Sequence, residues 1–419
     1  MTSYIDDIKN ILNNLDTTLE YNNIKDIYNF TYTSLLFIYP NFNKNLFKNI
    51  MNKLLIVKLD IDNTIDIKET NLDNINIPND YKELVEHVEY IAKLPQPEQR
   101  TPEWFKTRDN MITASSCAQA LNENPYPNQK SIDYIKEKVF GKKFIDNKYV
   151  HHGKKYEEIA TKIYENCYNI KVDEFGLIPH FDISYLGASP DGICSYKTLD
   201  NNFSDRVGRM LEIKCPFSRK IKTKGKIDGI ICPHYYWCQI QLQLECCDLD
   251  KCDFWQCEIQ EIEKRGDWLN DDCSKTICKE EQNKIIYINN NCKKGCIIQL
   301  QPKNIEYNEF MSKYIYPDDI NMNCYQYDQW VLNIMTNFHN SEYYNDYVFD
   351  KVLYWKLKKS HNIVISRDGE WFKNSLPKFK NVWDKVIYYR KNKNELKNLE
   401  NKNLFLDDSS DTEFDDDEA

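Results

Sequence analysis

Asp191, Glu212 and Lys214 are the residues of this chain best suited to chemistry: two acids and a base that short strands can gather around one water. Asp191 stands in the run Gly187-Ala-Ser-Pro-Asp-Gly192, and the other two belong to Leu211-Glu-Ile-Lys-Cys-Pro216. Residues 210–215 read as a short apolar strand. Side chains two apart on a strand share a face, so Glu212 and Lys214 project together while Ile213 points the other way into the core. Asp191 follows a small-residue turn between the strand-like runs 185–188 and 210–215, which lets a sheet carry it beside Glu212. Two carboxylates so placed suit magnesium or manganese, hard cations that take oxygen ligands, keep several waters and leave room for a phosphate. Lys214 would orient or deprotonate the attacking water and steady the charge that builds on the phosphate. An isolated E-x-K also occurs as a solvated charge pair on an edge strand, so the surrounding elements have to decide.

Those elements have signatures of their own. Upstream stand the block from Thr101 to Ser116, which holds Trp104, Arg108 and Ser115, and the run Gly153-Lys-Lys-Tyr-Glu-Glu-Ile-Ala160; downstream stands Tyr235-Tyr-Trp-Cys-Gln-Ile-Gln-Leu-Gln243. In order and spacing, these blocks together with S-P-D-G and E-x-K resemble the lambda-exonuclease or YqaJ family of viral recombination nucleases, a branch of the PD-(D/E)xK superfamily. The resemblance covers about residues 95–262. It implies Asp191 and Glu212 as metal ligands and Lys214 as the residue acting on water. Glu157, on a helix opened by Gly153, is implied as a further acid at the metal, and Gln239, on the helix after the catalytic strands, as a polar contact to water or phosphate. Arg108 and Ser115 match the positions that grip a terminal phosphate, with Trp104 the aromatic beside them. Arginine suits that task because its planar fork binds phosphate oxygens in pairs and keeps its charge.

Each of these residues also has a structural role open to it. Glu157 and Glu158 could face solvent on an amphipathic helix, Trp104 could plug the core, and Ser115 could cap the helix that begins near Cys117. Gln239, Gln241 and Gln243 cannot share one helical face; Gln239 and Gln243 lie i,i+4 and could line the site together, with Gln241 turned away.

A chain of 419 residues can bury a large interior and hold more than one structural unit. No run of about eighteen apolar residues and no signal-like start is present, so a soluble, intracellular protein without a membrane partner is expected. The net charge is −10, but eight acids and no base lie in 407–419, and those account for most of it. That acidic tail is expected to be disordered and to contact a basic partner or compete with DNA. Arg219-Lys-Ile-Lys-Thr-Lys-Gly-Lys226 is the best local candidate for phosphate contacts that are salt-sensitive and blind to base sequence. Fifteen cysteines in an intracellular setting are expected to be mostly free thiols. Cys273, Cys278, Cys292 and Cys296 form C-x4-C and C-x3-C pairs that a hairpin could close around a structural zinc.

The expected organisation is a helical N-terminal extension over 1–80, a nuclease core over 95–262, a cysteine-bearing insertion or strands over 263–303, a helical region over 304–400 that completes or covers the core, and the tail over 407–419. The fold class is α/β: a restriction-endonuclease-like core with a mixed central sheet flanked by helices. The resemblance implies a magnesium-dependent exonuclease that resects double-stranded DNA ends 5′ to 3′ for recombination or repair. It also implies a ring-shaped homo-oligomer, a single-strand annealing protein as partner, and a large DNA virus acting in the host cytoplasm as source. A structure-specific or single-strand endonuclease on the same scaffold, or a catalytically idle DNA-binding module, are the alternatives.

Overall fold

The computed structural model describes residues 75–141, 147–271 and 293–398, together with the backbone of a hairpin at 279–281 and 284–286. The helices are α1 (Lys82–Lys93), α2 (Pro102–Asp109), α3 (Cys117–Ala120), α4 (Ser131–Phe140), α5 (Lys148–Tyr168), α6 (His234–Cys247), α7 (Arg265–Asn270), α8 (Cys324–Thr336) and α9 (Gly369–Lys391). The strands are β1 (Ile112–Thr113), β2 (Val172–Asp173), β3 (Ile178–Pro179), β4 (Leu186–Ala188), β5 (Gly192–Cys194), β6 (Met210–Lys214), β7 (Lys251–Ile262), β8 (Lys279–Glu281), β9 (Lys284–Ile286), β10 (Lys294–Pro302), β11 (Lys313–Ile315) and β12 (Tyr347–Ser366).

Seven strands form the central sheet in the order β11-β10-β12-β7-β6-β5-β2. It is mixed: β6 and β7 run parallel, with Glu212 opposite Phe254 and Ile213 opposite Trp255, and the other neighbours are antiparallel. A small second sheet, β1-β4-β3, lies on the chain just before the turn that holds Asp191. β5 and β2 approach closely at Gly192, where a Cβ would collide with Val172 Cγ1, so only glycine fits.

Helices cover both faces of the sheet, as the α/β reading anticipates. On one face α5 lays Tyr156, Ile159 and Ile163 against Leu211, Ile213 and Trp255. On the other, α6 lays Ile240 and Leu244 against Met210, Phe254, Ile363 and Ile365, and α1 joins that cluster through Val85, Val88 and Ile91. The opposite side of α6 is also covered: Cys238, Leu242 and Cys246 pack with α3, α4 and the α9 residues Phe379, Val382 and Val386. A helix wedged between a sheet and a second helical layer has to be buried nearly all round, and from Ile240 to Leu244 every residue of α6 is, its glutamines included.

Two expectations about the elements need correction. Residues 347–366 do not continue a helical region; they form β12, an interior strand between β10 and β7. Their alternation of aromatic and charged residues is the period of two that a strand imposes, and Val348, Val352, Ile363 and Ile365 suit a pleated surface. The central sheet is therefore not confined to 95–262, because β10, β11 and β12 supply three of its seven strands. The N-terminal extension up to residue 74, the tail over 407–419, and Cys273, Cys278 and Cys292 lie outside the described residues; Cys296 is buried on β10 beside Trp268 and Tyr327. Among the described residues no helix is long and apolar enough to cross a membrane.

Candidate active site

Asp191 sits where the chain leaves the small sheet at β4 and enters the central sheet at β5. Its Oδ2 accepts a hydrogen bond from the Ile213 backbone N–H at 2.7 Å, which ties the turn directly to β6. Gln99 steadies the same turn from below, donating to the carbonyls of Pro190 at 3.1 Å and Phe175 at 2.9 Å. On β6 the alternation works as read from the sequence: Leu211 and Ile213 pack under α5, while Glu212 and Lys214 share the other side.

Glu212 has no exposed surface, and both of its carboxylate oxygens accept hydrogen bonds. Lys214 Nζ and Gln239 Nε2 both donate to Oε1, the latter at 2.8 Å, and Gln243 Nε2 donates to Oε2 at 2.8 Å. Gln239 and Gln243 thus reach one carboxylate from successive turns of α6. Gln241 faces away and bridges the Ser366 carbonyl and the Asp368 N–H. Lys214 also lies over the Tyr236 ring at 4.6 Å.

Three acids share this space. Burial, then Glu212 and Glu157, push the Asp191 carboxyl well above the usual carboxylate range, with Lys214 and the Ile213 N–H opposing. Burial also raises Glu157, against the pull of Arg100 and Lys214. Burial alone would draw the Lys214 ammonium down, but Glu212 and Asp191 lift it above the ordinary lysine range, so it stands protonated between the acids. The raised carboxyls of Asp191 and Glu157 mark a site short of positive charge. The donor set is all oxygen, and Gln243, which donates to Glu212, keeps a buried Oε1 with no hydrogen-bond partner among the described residues. Asp191, Glu212 and Glu157 therefore fit a hard divalent cation. A cleft of about 580 Å³ opens beside Asp191 and Glu157, and Glu174 and Arg100 line it as well. Arg100 pairs with both Glu157 oxygens at 3.1 and 3.2 Å, at the mouth of the cleft.

Arg108, Ser115 and Trp104 come together next to this centre. Arg108 donates to Ser115 Oγ at 2.9 Å, and its guanidinium lies 4.1 Å over the Trp104 ring. Trp104 Nε1 in turn donates to Ser189 Oγ at 3.0 Å, two residues before Asp191. Two further cations stand behind Arg108. Lys138 on α4 donates to the Arg108 carbonyl at 2.6 Å, and Arg390 on α9 donates to the carbonyls of Lys138 and Asp109. Burial pushes Arg108 down to about 10 and Lys138 down to about 8, with Asp109 opposing in both cases. Crowded, partly desolvated cations of this kind are what an anion relieves.

Sequence reasoning missed part of this constellation. Ser189 was legible within S-P-D, and Glu174 lies on the short connection after β2, but nothing local connects Lys138 or Arg390 to Arg108, since Arg390 is brought there from the far end of the fold. The helix carrying Glu157 is not opened by Gly153: it begins five residues earlier, where Asn147 accepts from the N–H groups of Tyr149 and Val150. Ser115 caps no helix; it lies in a single 3-10 turn, and Ser116 precedes α3 without a side-chain cap. Glu158 pairs with Lys162 one turn on, as a surface residue would. In the basic run, Lys220, Lys222, Lys224 and Lys226 are exposed, whereas Ile221 is buried and Arg219 donates to Gln256 Oε1 at 3.0 Å.

Comparison with known proteins places these residues in context. The chain is 38% identical over 325 residues to an uncharacterized protein of Acanthamoeba polyphaga mimivirus, covering 74% of this chain and 56% of that protein. It is 31% identical over 165 residues to a protein of African swine fever virus, covering 35% of this chain and 45% of that protein. The chain thus spans about half the length of the curated relatives it matches. Among solved structures, the alkaline exonuclease LHK-Exo of Laribacter hongkongensis is similar at 20% identity, over 73% of this chain and 100% of that one, with a TM-score of 0.35. A phage-related exonuclease from Haemophilus somnus is similar at 14% identity, over 68% and 96%, with a TM-score of 0.32. Residues 103–250, which carry Trp104, Arg108, Ser115, Glu157, Asp191, Glu212, Lys214 and Gln239, match the YqaJ-like viral recombinase domain.

Proposed function

We propose that this chain is a metal-dependent deoxyribonuclease that degrades duplex DNA from a phosphorylated 5′ end. The observation that carries this reading is the Trp104 to Ser189 hydrogen bond, which fastens the Arg108–Ser115 pair to the turn bearing Asp191. A terminal phosphate held by Arg108 and Ser115 would then lie beside the acids that act on a neighbouring phosphodiester. The match of this segment to a viral recombinase domain supports the same substrate class.

The roles follow from the contacts. Asp191, Glu212 and Glu157 would hold magnesium or manganese, which when bound acidifies a water and neutralises charge on the phosphate. Gln239 and Gln243 fix the rotamer of Glu212, so its oxygens are aimed before substrate arrives. Lys214 is held protonated by its acidic neighbours, so it serves the transition state as a cation near the phosphate oxygens and as a hydrogen-bond donor that orients water. Arg108 binds the terminal phosphate with Trp104 stacked beneath, and Lys138 and Arg390 add to the positive field there. The exposed lysines of 220–226 would contact the backbone of the duplex without reading its bases. The 5′ to 3′ direction follows from the family resemblance, as do a ring-shaped homo-oligomer and a single-strand annealing protein as partner in recombination or repair.

Linear duplexes labelled at either the 5′ or the 3′ end, and a covalently closed circle, incubated with magnesium and the purified chain, test the reading. Early release of the 5′ label from linear DNA with intact circles is the expected result. Cutting of circles would favour an endonuclease on the same centre, and release of the 3′ label first would reverse the polarity.

A further inference from the structure

A second cluster lies apart from the acids, at the start of α6. His234 and Cys238 sit one turn apart on that helix, and Glu123 reaches them from the chain just after α3. His234 Nε2 is 3.4 Å from Cys238 Sγ and 3.4 Å from Glu123 Oε2, and Cys238 Sγ is 3.6 Å from the same oxygen. A tetrahedral zinc with bonds of about 2.3 Å to sulfur and about 2.0–2.1 Å to nitrogen and oxygen spans ligand edges of roughly 3.5 Å to the sulfur and roughly 3.3 Å between nitrogen and oxygen. The three side chains already describe one face of that tetrahedron.

The surroundings are also those of a metal centre. Asp228 Oδ1 lies 2.8 Å from His234 Nδ1, and a carboxylate in that position fixes the ring and turns Nε2 toward the other two ligands. Lys378 on α9 holds Glu123 through its other oxygen at 3.3 Å, leaving Oε2 to face the cluster. Cys238 is fully buried, so its sulfur is shielded from solvent, whereas the imidazole of His234 is partly open to solvent and gives an ion a way in.

We propose that Glu123, His234 and Cys238 bind one zinc ion, with water or an external group in the fourth position and Asp228 as the carboxylate behind the histidine. The nitrogen and sulfur donors favour zinc over magnesium, so this centre and the all-oxygen site at Asp191 select different metals. Binding converts the Cys238 thiol to a thiolate and releases its proton to solvent. The ion would join the α3 connection to the first turn of α6, immediately before Gln239, and so steady the helix that positions Glu212.

The test is a titration of the metal-stripped full chain with cobalt(II) as a spectroscopic stand-in, followed by displacement with zinc. The sulfur-to-cobalt charge-transfer band should saturate at one equivalent, cobalt at the all-oxygen site adding nothing to it, and zinc should abolish the band. Cys238→Ser should remove it, and so should His234→Ala, whose site is open enough for the fold to persist by circular dichroism. Asp228→Asn should weaken affinity by about 10- to 100-fold. No band in the folded parent chain would overturn the proposal and leave only a hydrogen-bonded cluster of His234, Asp228 and Glu123. A band that survives both Cys238→Ser and His234→Ala would overturn it as well, by moving the metal to other cysteines.

Discussion

Asp191 is a residue kept against the interest of the fold. Burial beside Glu212 and Glu157 raises its carboxyl, so the folded state binds that proton more tightly than the unfolded chain does. The corresponding stability is complete below the unfolded value and is lost as pH rises through the folded one. Asp191→Asn keeps an oxygen for the Ile213 N–H but removes the charge. It should abolish cleavage, by about 10³-fold or more, while stabilising the metal-free protein by on the order of 1–2 kcal/mol. Thermal melts in EDTA check the second half; a lowered melting temperature would refute the electrostatic reading of the site. Lys138 supplies a pH test of the proposed phosphate pocket. Its ammonium, pushed down to about 8, is neutral above that pH in the free protein, so the affinity for a 5′-phosphorylated end should fall above pH 8, by at most about tenfold per unit. Lys138→Met should flatten that fall, and Arg108→Ala should erase the preference for a phosphate over a hydroxyl end. Fluorescence anisotropy on matched oligonucleotides reads both. Asp191, Glu212 and Lys214 could be placed together from the strand and turn pattern, whereas Arg108 and Ser115 were paired only through the family resemblance; the structure brings each group together. Lys138 and Arg390 were not legible, because a pocket wall assembled from α4 and α9 leaves no local pattern.

The helix α6 shows how far periodicity reaches. Its i,i+4 spacing correctly paired Gln239 with Gln243 and turned Gln241 away, because helical geometry alone fixes which side chains share a face. Gln243→Ala should therefore lower the cleavage rate by about tenfold to a hundredfold with little effect on DNA binding, and Gln241→Ala should act on stability instead, since it removes the tie to Ser366 and Asp368. Urea melts beside single-turnover rates separate the two effects. Strand β12 shows the opposite case. Its alternation was visible, but a preference for strand over helix there comes from partners on both sides, β7 and β10, which are distant in sequence. The helix that follows it, α9, seals the outer layer, and Phe379 is its most deeply buried aromatic in that cluster. Phe379→Ala should cost about 3–5 kcal/mol and loosen the packing around α6.

Over the whole chain, the α/β class with helices flanking a mixed sheet was expected from the ordered strand and helix blocks and the family they resemble, whereas the extent of the central sheet was not, since three of its strands arrive after residue 290. The net charge of −10 leaves DNA contact to local basic segments. Replacing Lys220, Lys222, Lys224 and Lys226 with alanine should weaken binding of any duplex alike and flatten the dependence of log affinity on log salt, by up to about 0.9 for each phosphate no longer neutralised. An unchanged slope would remove this run from the DNA path. The identity of the chemistry is tested most directly by the single-turnover cleavage of a 5′-labelled linear duplex by the full chain, with magnesium or with EDTA, beside Asp191→Asn. Magnesium-dependent release of nucleotides by the parent chain, absent in EDTA and in the variant, is the expected result. Equal cleavage by Asp191→Asn, or none by the parent chain with magnesium, would contradict a metal-dependent nuclease built on Asp191, Glu212 and Lys214.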